Sequence, residues 1–484
     1  MSNLFKAIKY QLYLLQLESY ELGRFWKLLF KKGLLPKGGQ RKQLVWTGKA
    51  VLIFGLAEII VLGLSIGLAH ALFLNVLENT VAAAIVGLAA FYILQFLGFF
   101  FLPLSVIILA PVDWIIKNII IWRAKLKITK LQNLKIIGVA GSYGKTTMKE
   151  VLKEVLGARF QVLATPESVN TPVGIARWIL KTLKNDTEIL IVEMGEHYKG
   201  DVEEICNFAK PDVAVVTGIN EAHLERMKTL SNITDTIFEI VSKAAPRALV
   251  VLNGDDKNVV KHYKEYVWPD HRIERFKIED LRLKKFDTEK LCWEGEIEKL
   301  GKLEINLLGE YALGDVSAAI TIAQNFGMSN EEILKGVAKI KPVEHRLQPI
   351  KSAGGVLVID DAYNGNPAGV AEAIKVLSRF QNRRKLFITP GLVETGKAAS
   401  EIHKRIGEQL AEVADVVILI KNSVTPFILE GINGSIKNQE LRIMDKKPEV
   451  IIFDSATEAH ASLSKILKPN DVIVFQNDWG DQYI

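Results

Sequence analysis

Cysteine is nearly absent from this 484-residue chain, which contains only Cys206 and Cys292. Two isolated cysteines exclude a disulfide framework and a cysteine-rich zinc site, so a reducing compartment is expected. The low hydrophobicity and high net charge of a disordered protein are also missing, because 49% of the residues are hydrophobic and 24% are charged. At this length the chain has room for about three domains.

The chain has no strong excess of charge of one sign, but its charges are unevenly distributed. The formal net charge is +6, and a basic excess invites a nucleic-acid-binding interpretation. Residues 1–135 carry +11, however, and the rest of the chain carries −5. Because the basic excess lies outside the larger part of the chain, we predict no nucleic-acid partner.

Formal charge is missing altogether from two long apolar segments within the basic part. Residues 59–77 contain no charge over 19 positions, and residues 79–112 contain none over 34. A helix needs about 20 apolar residues to cross a bilayer, so the pattern predicts a transmembrane helical hairpin over 49–112, with spans at about 49–77 and 81–110. The other interpretation, a buried core helix, usually applies to shorter segments with amphipathic neighbours.

Basic residues flank both predicted spans, which predicts that both termini and all later domains face the cytoplasm. Residues 1–48 combine aromatic and basic side chains, and they predict an amphipathic segment at the membrane surface, in contact with lipid. Glu58 is either functional or, as we favour, a residue that reaches toward the cytoplasmic interface.

Short apolar segments alternate with helical patterns after residue 130. The predicted strands are 134–140, 189–193, 213–217 and 248–252 in a first series, and 356–359, 385–389, 416–420 and 471–475 in a second. This alternation predicts an α/β fold with two doubly wound units, an ATPase-type unit at 130–342 and a smaller, Rossmann-like unit at 343–484. Residues 272–307 predict a local β-rich stretch, and residues 341–343 predict a hinge.

A glycine-rich turn joins the first predicted strand to a helix that continues to Leu156. The turn reads Gly141-Ser142-Tyr143-Gly144-Lys145-Thr146-Thr147. The backbone N–H groups of such a turn and the positive end of the helix dipole bind phosphate, which makes it a P-loop. Lys145 supplies a positive charge for the β- and γ-phosphates of a nucleotide, and Thr146 supplies a hydroxyl for Mg²⁺.

Four later segments follow the P-loop in a recognisable order. They are Val192-Glu193-Met194-Gly195, residues 217–225 with His223, Asn253-Gly254-Asp255, and His345-Arg346-Leu347 followed by residues 359–367. In this order the segments resemble the Mur ligase family, the ATP-dependent amide ligases of cell-wall synthesis. The similarity covers residues 134–484. Within the family, the last segment is most similar to that of ligases that add D-alanyl-D-alanine to UDP-N-acetylmuramoyl-tripeptide.

The resemblance implies that the ATPase-type unit, residues 130–342, binds ATP and Mg²⁺. All seven residues from Gly141 to Thr147 would contact the nucleotide, with Asn253 and Asp255 as further contacts. The metal ligands would be Thr146, Glu193 and His223.

The Rossmann-like unit, residues 343–484, would supply residues that reach the nucleotide after domain closure. Arg346 would contact the γ-phosphate and Asp361 the ribose. The catalytic residues would be Lys145, His223 and Arg346, and the substrate contacts would be Tyr363, Asn364 and Asn366.

Together these features predict a membrane-tethered acid–amino acid ligase that acts through an acyl phosphate in peptidoglycan precursor or related cell-envelope synthesis, at the bacterial inner membrane. Its acceptor would be a carboxylate, either UDP-N-acetylmuramoyl-peptide-like or lipid-linked, and its donor an amino acid or dipeptide. The alternative is a catalytically degenerate, nucleotide-binding membrane scaffold for cell-wall enzymes. Ile237 favours this alternative, because the family usually has a carbamylated lysine there that bridges Mg²⁺; Asp235 is the nearest carboxylate that could take its place.

Overall fold

The computed structural model describes residues 2–35, 44–74, 80–167, 169–220, 224–297, 300–363, 365–393, 395–437 and 447–476. Within these residues the chain forms two compact units, which divide between Ile119 and Ile120.

The first unit is helical. Its helices are α1 (Ser2–Leu17), α2 (Leu22–Lys32), α3 (Gly48–Leu72), α4 (Thr80–Phe96) and the first part of α5 (Gly98–Thr129). By length and composition α3 and α5 could each cross a membrane, whereas α4 is a shorter apolar helix of 17 residues. The second predicted span is therefore divided at Leu97, and α5 continues well past residue 110 with Pro103 and Pro111 inside it. A mostly apolar segment without formal charge gives little signal for such a break.

Helix α1 packs inside the first unit instead of forming a separate surface helix. Ile8, Leu12 and Leu15 are fully buried, in a core that also contains Phe25 of α2 and Leu102 of α5. Most of the large exposed apolar side chains of this unit lie on α3, α4 and α5; examples are Ile59, Val81, Ile93 and Trp114. The outward face of these three helices is thus apolar, while α1 contributes to the interior.

Polar side chains also connect the apolar helices. Glu58 Oε2 accepts a hydrogen bond from Gln95 Nε2 at 2.6 Å, and Asp113 forms ion pairs with Lys49 at 3.0 Å and Lys117 at 2.9 Å. Glu58 therefore faces α4 instead of reaching toward an interface, because Gln95 is the partner within its reach.

The second unit begins with a wholly parallel six-stranded sheet of order β2-β3-β1-β4-β5-β6. Its strands are β1 (Lys135–Ala140), β2 (Val162–Ala164), β3 (Ile189–Glu193), β4 (Val213–Val216), β5 (Leu249–Asn253) and β6 (Arg272–Phe276). The surrounding helices are α6 (Lys145–Leu156), α7 (Pro172–Thr182), α8 (Asp201–Cys206), α9 (Leu224–Met227), α10 (Leu230–Ser242), α11 (Lys257–His262), α12 (Tyr311–Asn325) and α13 (Asn330–Val337). Separate apolar cores cover its two faces, as expected for a parallel sheet.

The predicted β-rich stretch is divided between two sheets. Strand β6 joins the parallel sheet, and the remainder forms a small antiparallel sheet. The strands of this sheet are β7 (Lys285–Asp287), β8 (Cys292–Ile297) and β9 (Gly301–Ile305).

A second six-stranded sheet follows, with the order β10-β11-β15-β12-β13-β14. Its strands are β10 (Gln348–Lys351), β11 (Leu357–Asp361), β12 (Lys385–Thr389), β13 (Val416–Ile420), β14 (Glu449–Phe453) and β15 (Val472–Gln476). Its helices are α14 (Pro367–Ser378), α15 (Ala399–Val413), α16 (Thr425–Lys437) and α17 (Ala456–Ile466). Strand β10 is antiparallel to β11, so this sheet is mixed and not wholly parallel.

The segment that joins the two large sheets has an unusual backbone just after the predicted hinge. His345 and Leu347 have φ values of 55° and 48°, a left-handed conformation that costs a non-glycine residue about 1–2 kcal/mol. Two contacts with the end of β11 hold it in place: His345 Nδ1 lies 2.7 Å from Asp360 Oδ2, and Leu347 N donates to Asp361 Oδ1 at 3.2 Å. Arg346, between the two strained residues, is thereby fixed in position.

Candidate nucleotide-binding site

The P-loop is held against the segment that follows β4. Gly141 has φ of 149°, and a Cβ there would lie 2.2 Å from Thr217 Oγ1, so only glycine fits. Ser142 N donates to Gly218 O at 2.8 Å. Gly144, with φ of 79°, turns the chain into α6 at Lys145. The first N–H groups of a helix have no acceptor within it, so this turn presents free donors to an anion.

Two lysines and two glutamates cluster at the start of α6. Lys145 Nζ lies 2.9 Å from Glu196 Oε1 and also donates to Gly141 O. Thr146 Oγ1 donates to Glu193 Oε1 at 3.2 Å. Lys149 Nζ lies 3.2 Å from the other oxygen of Glu193, Oε2. Both glutamates are almost completely buried, and the Lys149 side chain is fully buried. The site is therefore a compact arrangement of opposite charges.

The structure brings together Thr146 and Glu193, two of the three residues that the resemblance gives as metal ligands. Sequence reasoning missed Lys149 and Glu196. Their spacing held a signal, because Lys149 follows Lys145 by one helical turn and Glu196 lies three residues after Glu193.

Of the two predicted nucleotide contacts at the end of β5, Asn253 supports the loop on which the P-loop rests. Asn253 Nδ2 donates to Thr217 O at 2.7 Å, and Asp255 Oδ2 accepts from Ile278 N at 2.9 Å. Asp256, which sequence reasoning did not single out, accepts from Tyr143 OH at 2.7 Å and from Ile219 N at 3.1 Å. Burial and the nearby Asp256 carboxylate raise the pKa of Tyr143 well above its ordinary value, so the phenol stays a donor.

Arg346 and the P-loop helix line the same small cavity. Thr147, Gly309, Ala312 and Arg346 are among the residues around it. Arg346 Nη1 donates to Tyr363 O at 2.9 Å, and its guanidinium lies 4.8 Å from the centre of the Tyr363 ring. A positive side chain from the second sheet's domain thus reaches the neighbourhood of the phosphate loop.

The remaining predicted site residues are placed as follows. Asn366 Oδ1 accepts from Gly369 N at 3.1 Å and so caps α14, and it lies 3.5 Å from Asn220 Nδ2. His223 and Asn364 lie outside the described residues. Ile237 is fully buried in the apolar core, where it offers no ligand. The carboxylate of Asp235 accepts a hydrogen bond from Tyr266 OH at 2.5 Å.

The donor set beside the P-loop fits Mg²⁺. A threonine hydroxyl and two buried carboxylates are the hard oxygen ligands that this ion prefers. Glu193 Oε2 faces the Lys149 ammonium at 3.2 Å, whereas Glu196 Oε2 is buried and accepts no hydrogen bond in the described part of the chain. A buried carboxylate oxygen of this kind is costly to leave unpaired and suited to a cation.

We expect replacement of Asp361 by asparagine to change how stability depends on pH. Burial raises the pKa of the Asp361 carboxyl to about 7, against the effects of Arg346 and Leu347 N. In the unfolded chain the same carboxyl has its ordinary pKa of 3.8. Between these two values the unfolded chain releases a proton that the folded state keeps, so the folded state loses stability as the pH rises toward 7. Wild type should lose about 2 kcal/mol between pH 5 and pH 8 through this group, and the variant should not.

Unfolding midpoints at several pH values test this expectation. Asp454→Asn, which alters an exposed carboxylate of the same domain, should follow the wild-type curve. Parallel curves for wild type and Asp361→Asn would contradict the expected burial effect.

These features define a P-loop nucleotide-binding protein. They are the strand–turn–helix around Lys145, the buried carboxylates beside it, and a second α/β domain. Residues 139–323 match the Mur ligase middle domain, and residues 345–476 match the Mur ligase glutamate ligase domain. Together they cover well over half of the chain. The protein belongs to the Mur ligase family.

The relatives of this chain confirm the resemblance to the ligases that handle D-alanyl-D-alanine. UDP-N-acetylmuramoyl-tripeptide–D-alanyl-D-alanine ligase from Bacillus subtilis is 28% identical over 306 residues, which are 61% of this chain and 65% of the relative. The ligase of the same description from Mycobacterium tuberculosis H37Rv is 28% identical over 359 residues, 70% of each chain. The chain thus spans roughly two thirds of the length of these relatives.

Solved structures show the same fold. MurF ligase from Thermotoga maritima, crystallised in complex with ADP, superposes with a TM-score of 0.64 at 27% identity, over 75% of this chain and 80% of that one. MurF from Acinetobacter baumannii gives a TM-score of 0.65 at 23% identity, over 76% and 78%.

Proposed function

We propose that this protein is an ATP-dependent ligase that joins an amine to a carboxylate through an acyl phosphate. The observation that carries the proposal is the charged cluster at the start of α6: Lys145 and Thr146 of the P-loop face Glu193 and Glu196, and Arg346 lines the adjoining cavity. The T. maritima relative holds ADP, which supports ATP as the phosphoryl donor here.

The proposed reaction has two steps. A carboxylate oxygen of the acceptor attacks the γ-phosphorus of ATP, the bond to the β,γ-bridging oxygen breaks, and ADP leaves. The amine nitrogen of the donor then attacks the acyl carbon, inorganic phosphate leaves, and the amine gives up a proton as the amide forms. Most of the catalysis in the first step is positioning and charge neutralisation.

The residues of the site divide this work. Free N–H groups of the P-loop and the Lys145 ammonium bind the phosphates, and Arg346 stabilises charge that develops on the transferred phosphoryl group. Thr146, Glu193 and the predicted ligand His223 would hold Mg²⁺, which supplies charge neutralisation when bound. Asp361 would bind the ribose, and Tyr363, Asn364 and Asn366 would contact the substrate.

The relatives support UDP-N-acetylmuramoyl-tripeptide as the proposed acceptor and D-alanyl-D-alanine as the proposed donor, in peptidoglycan precursor synthesis. We also propose that α3 and α5 tether the enzyme to the bacterial inner membrane, with the catalytic domains in the cytoplasm. The apolar outward face of α3 to α5 supports this tether. After alkaline carbonate extraction the full chain should remain in the membrane pellet; release into the supernatant would contradict the tether.

A degenerate, nucleotide-binding membrane scaffold is the second candidate. Its supporting observation is Ile237, which is buried among apolar side chains and offers no metal ligand. The intact cluster of Lys145, Thr146 and Glu193 favours the ligase instead.

An amide-formation assay with the purified protein in detergent decides between the two candidates. The full-length protein is incubated with ATP, Mg²⁺, UDP-N-acetylmuramoyl-tripeptide and D-alanyl-D-alanine, and the amide product is detected by mass spectrometry beside a Lys145→Ala control. A Lys145-dependent product supports the ligase. ATP binding without product across a panel of carboxylates and amines would leave the scaffold, and no ATP binding would overturn both candidates.

A further inference from the structure

Glu196 belongs to the charged cluster at the start of α6, yet the proposed reaction assigns it no role of its own. It follows Gly195, whose N–H donates to Asn170 O at 2.9 Å and where a Cβ would lie 2.9 Å from the same oxygen. This close backbone contact fixes the loop after β3. The Glu196 side chain is 2% exposed, and its Oε1 lies 2.9 Å from Lys145 Nζ. Its Oε2 is buried and accepts no hydrogen bond from the residues that the structure describes.

Each buried glutamate at the site has a lysine partner. Glu193 pairs with Lys149, and Glu196 pairs with Lys145. Lys149 is confined by its full burial, with its Nζ also 3.5 Å from Glu150 Oε1. It is therefore not free to serve Glu196 as well. Among the residues that the structure describes, Lys145 is the only ion-pair partner of Glu196.

Nucleotide binding disturbs this pairing. In the proposed function Lys145 binds the β- and γ-phosphates. Its ammonium must then either leave Glu196 or contact the phosphate oxygens and the Glu196 carboxylate at the same time. Without another cation, Glu196 would then be a buried charge beside phosphate, and an uncompensated buried charge is strongly unfavourable. A divalent cation removes this penalty, because it is attracted to the carboxylate and to the phosphates together.

We propose that Glu196 makes nucleotide binding depend on the metal ion: it holds Lys145 while no nucleotide is bound, and it becomes an additional oxygen donor for Mg²⁺ when the metal–nucleotide complex enters. This proposal rests on the proposed nucleotide-binding function and adds a residue to its metal site. ATP without metal must compete with Glu196 for Lys145, whereas ATP with Mg²⁺ supplies the cation that replaces Lys145 as the partner of Glu196.

The proposal predicts a change in the coupling between metal and nucleotide. Coupling is the factor by which Mg²⁺ changes ATP affinity. In Glu196→Gln the neutral amide no longer competes for Lys145 or repels phosphate, so metal-free ATP should bind about tenfold more tightly and the coupling factor should fall at least tenfold. The formation of Mg·ATP in solution is common to all variants and cancels in the comparison.

The experiment is isothermal titration of full-length protein in detergent with ATP, in EDTA and in saturating Mg²⁺. Glu150→Gln is the matched control, because it makes the same chemical change beside Lys149 on a carboxylate that is 30% exposed. It should keep the wild-type coupling factor. An unchanged factor in Glu196→Gln, or an equal change in Glu150→Gln, would overturn the proposal while leaving the proposed function intact. Wild type that binds no ATP in either condition would overturn both.

A second variant keeps the test decisive if Glu196→Gln does not fold. Lys145→Met removes the partner that holds Glu196, so Mn²⁺ should bind several-fold more tightly than to wild type without nucleotide, as measured by electron paramagnetic resonance of free Mn²⁺. Equal Mn²⁺ affinity in the two proteins would contradict the assignment of Glu196 to the metal.

Discussion

Replacing Lys149 by methionine should destabilise the ATP-binding domain by about 3–5 kcal/mol, because it leaves a buried carboxylate without its ion-pair partner. Lys149 is fully buried, and its Nζ lies 3.2 Å from Glu193 Oε2. Methionine fills much of the same volume, so packing changes little and the loss is mainly electrostatic. The measurement is the unfolding midpoint of the nucleotide-free protein.

Two further variants separate the ion pair from the general effect of losing a lysine. Lys153→Met alters an exposed lysine on the same helix, which pairs with Glu150 at 3.1 Å, and it should cost under about 1 kcal/mol. Lys149→Met combined with Glu193→Gln should recover part of the lost stability, because the unpaired charge is gone. If Lys149→Met were as mild as Lys153→Met, the buried pair would not stabilise the domain.

Replacing Arg346 by alanine should slow ATP-dependent amide formation by about 10²–10³-fold, the usual effect of removing one group that stabilises transition-state charge. Arg346 lines the cavity beside Thr147 and is fixed by Tyr363 O and by the Tyr363 ring. Arg346→Lys keeps the charge but loses the planar guanidinium that makes both contacts, so it should recover only a small part of the rate.

Single-turnover phosphate release is the appropriate measurement for Arg346, beside ATP affinity measured by titration. The affinity should change much less than the rate, because the proposed role concerns charge that develops during transfer. Arg405→Ala, at an exposed arginine on α15, is the control and should retain the wild-type rate. A normal rate in Arg346→Ala would remove this arginine from the mechanism.

The features that the sequence predicted correctly are encoded locally. A strand followed by a glycine-rich turn and a helix defines the P-loop within about 20 residues, and buried parallel strands appear as short apolar segments. The strands that were not predicted, β2, β10 and β14, lie at or near sheet edges, where burial and hence the apolar signal are weaker.

The residues that the sequence did not single out depend on contacts that are distant along the chain. Lys149 resembles any lysine on an amphipathic helix, and only its pairing with Glu193, 44 positions later, explains its burial. Glu196 can be recognised as part of the site only in the folded protein, where β3 lies next to β1 and the loops after the two strands come together. The break at Leu97 is equally hidden, because the residues on both sides of it are mostly apolar and carry no formal charge.

The scarcity of cysteine has a practical consequence for observing this protein at work. Cys206 and Cys292 are each no more than 2% exposed, and burial raises the pKa of the Cys206 thiol to about 12, which suppresses the reactive thiolate. The two native cysteines should therefore react little with thiol-labelling reagents. A single cysteine placed on each side of residues 341–343 would carry a fluorophore pair, and a change in the distance between the dyes during turnover would test the predicted domain closure.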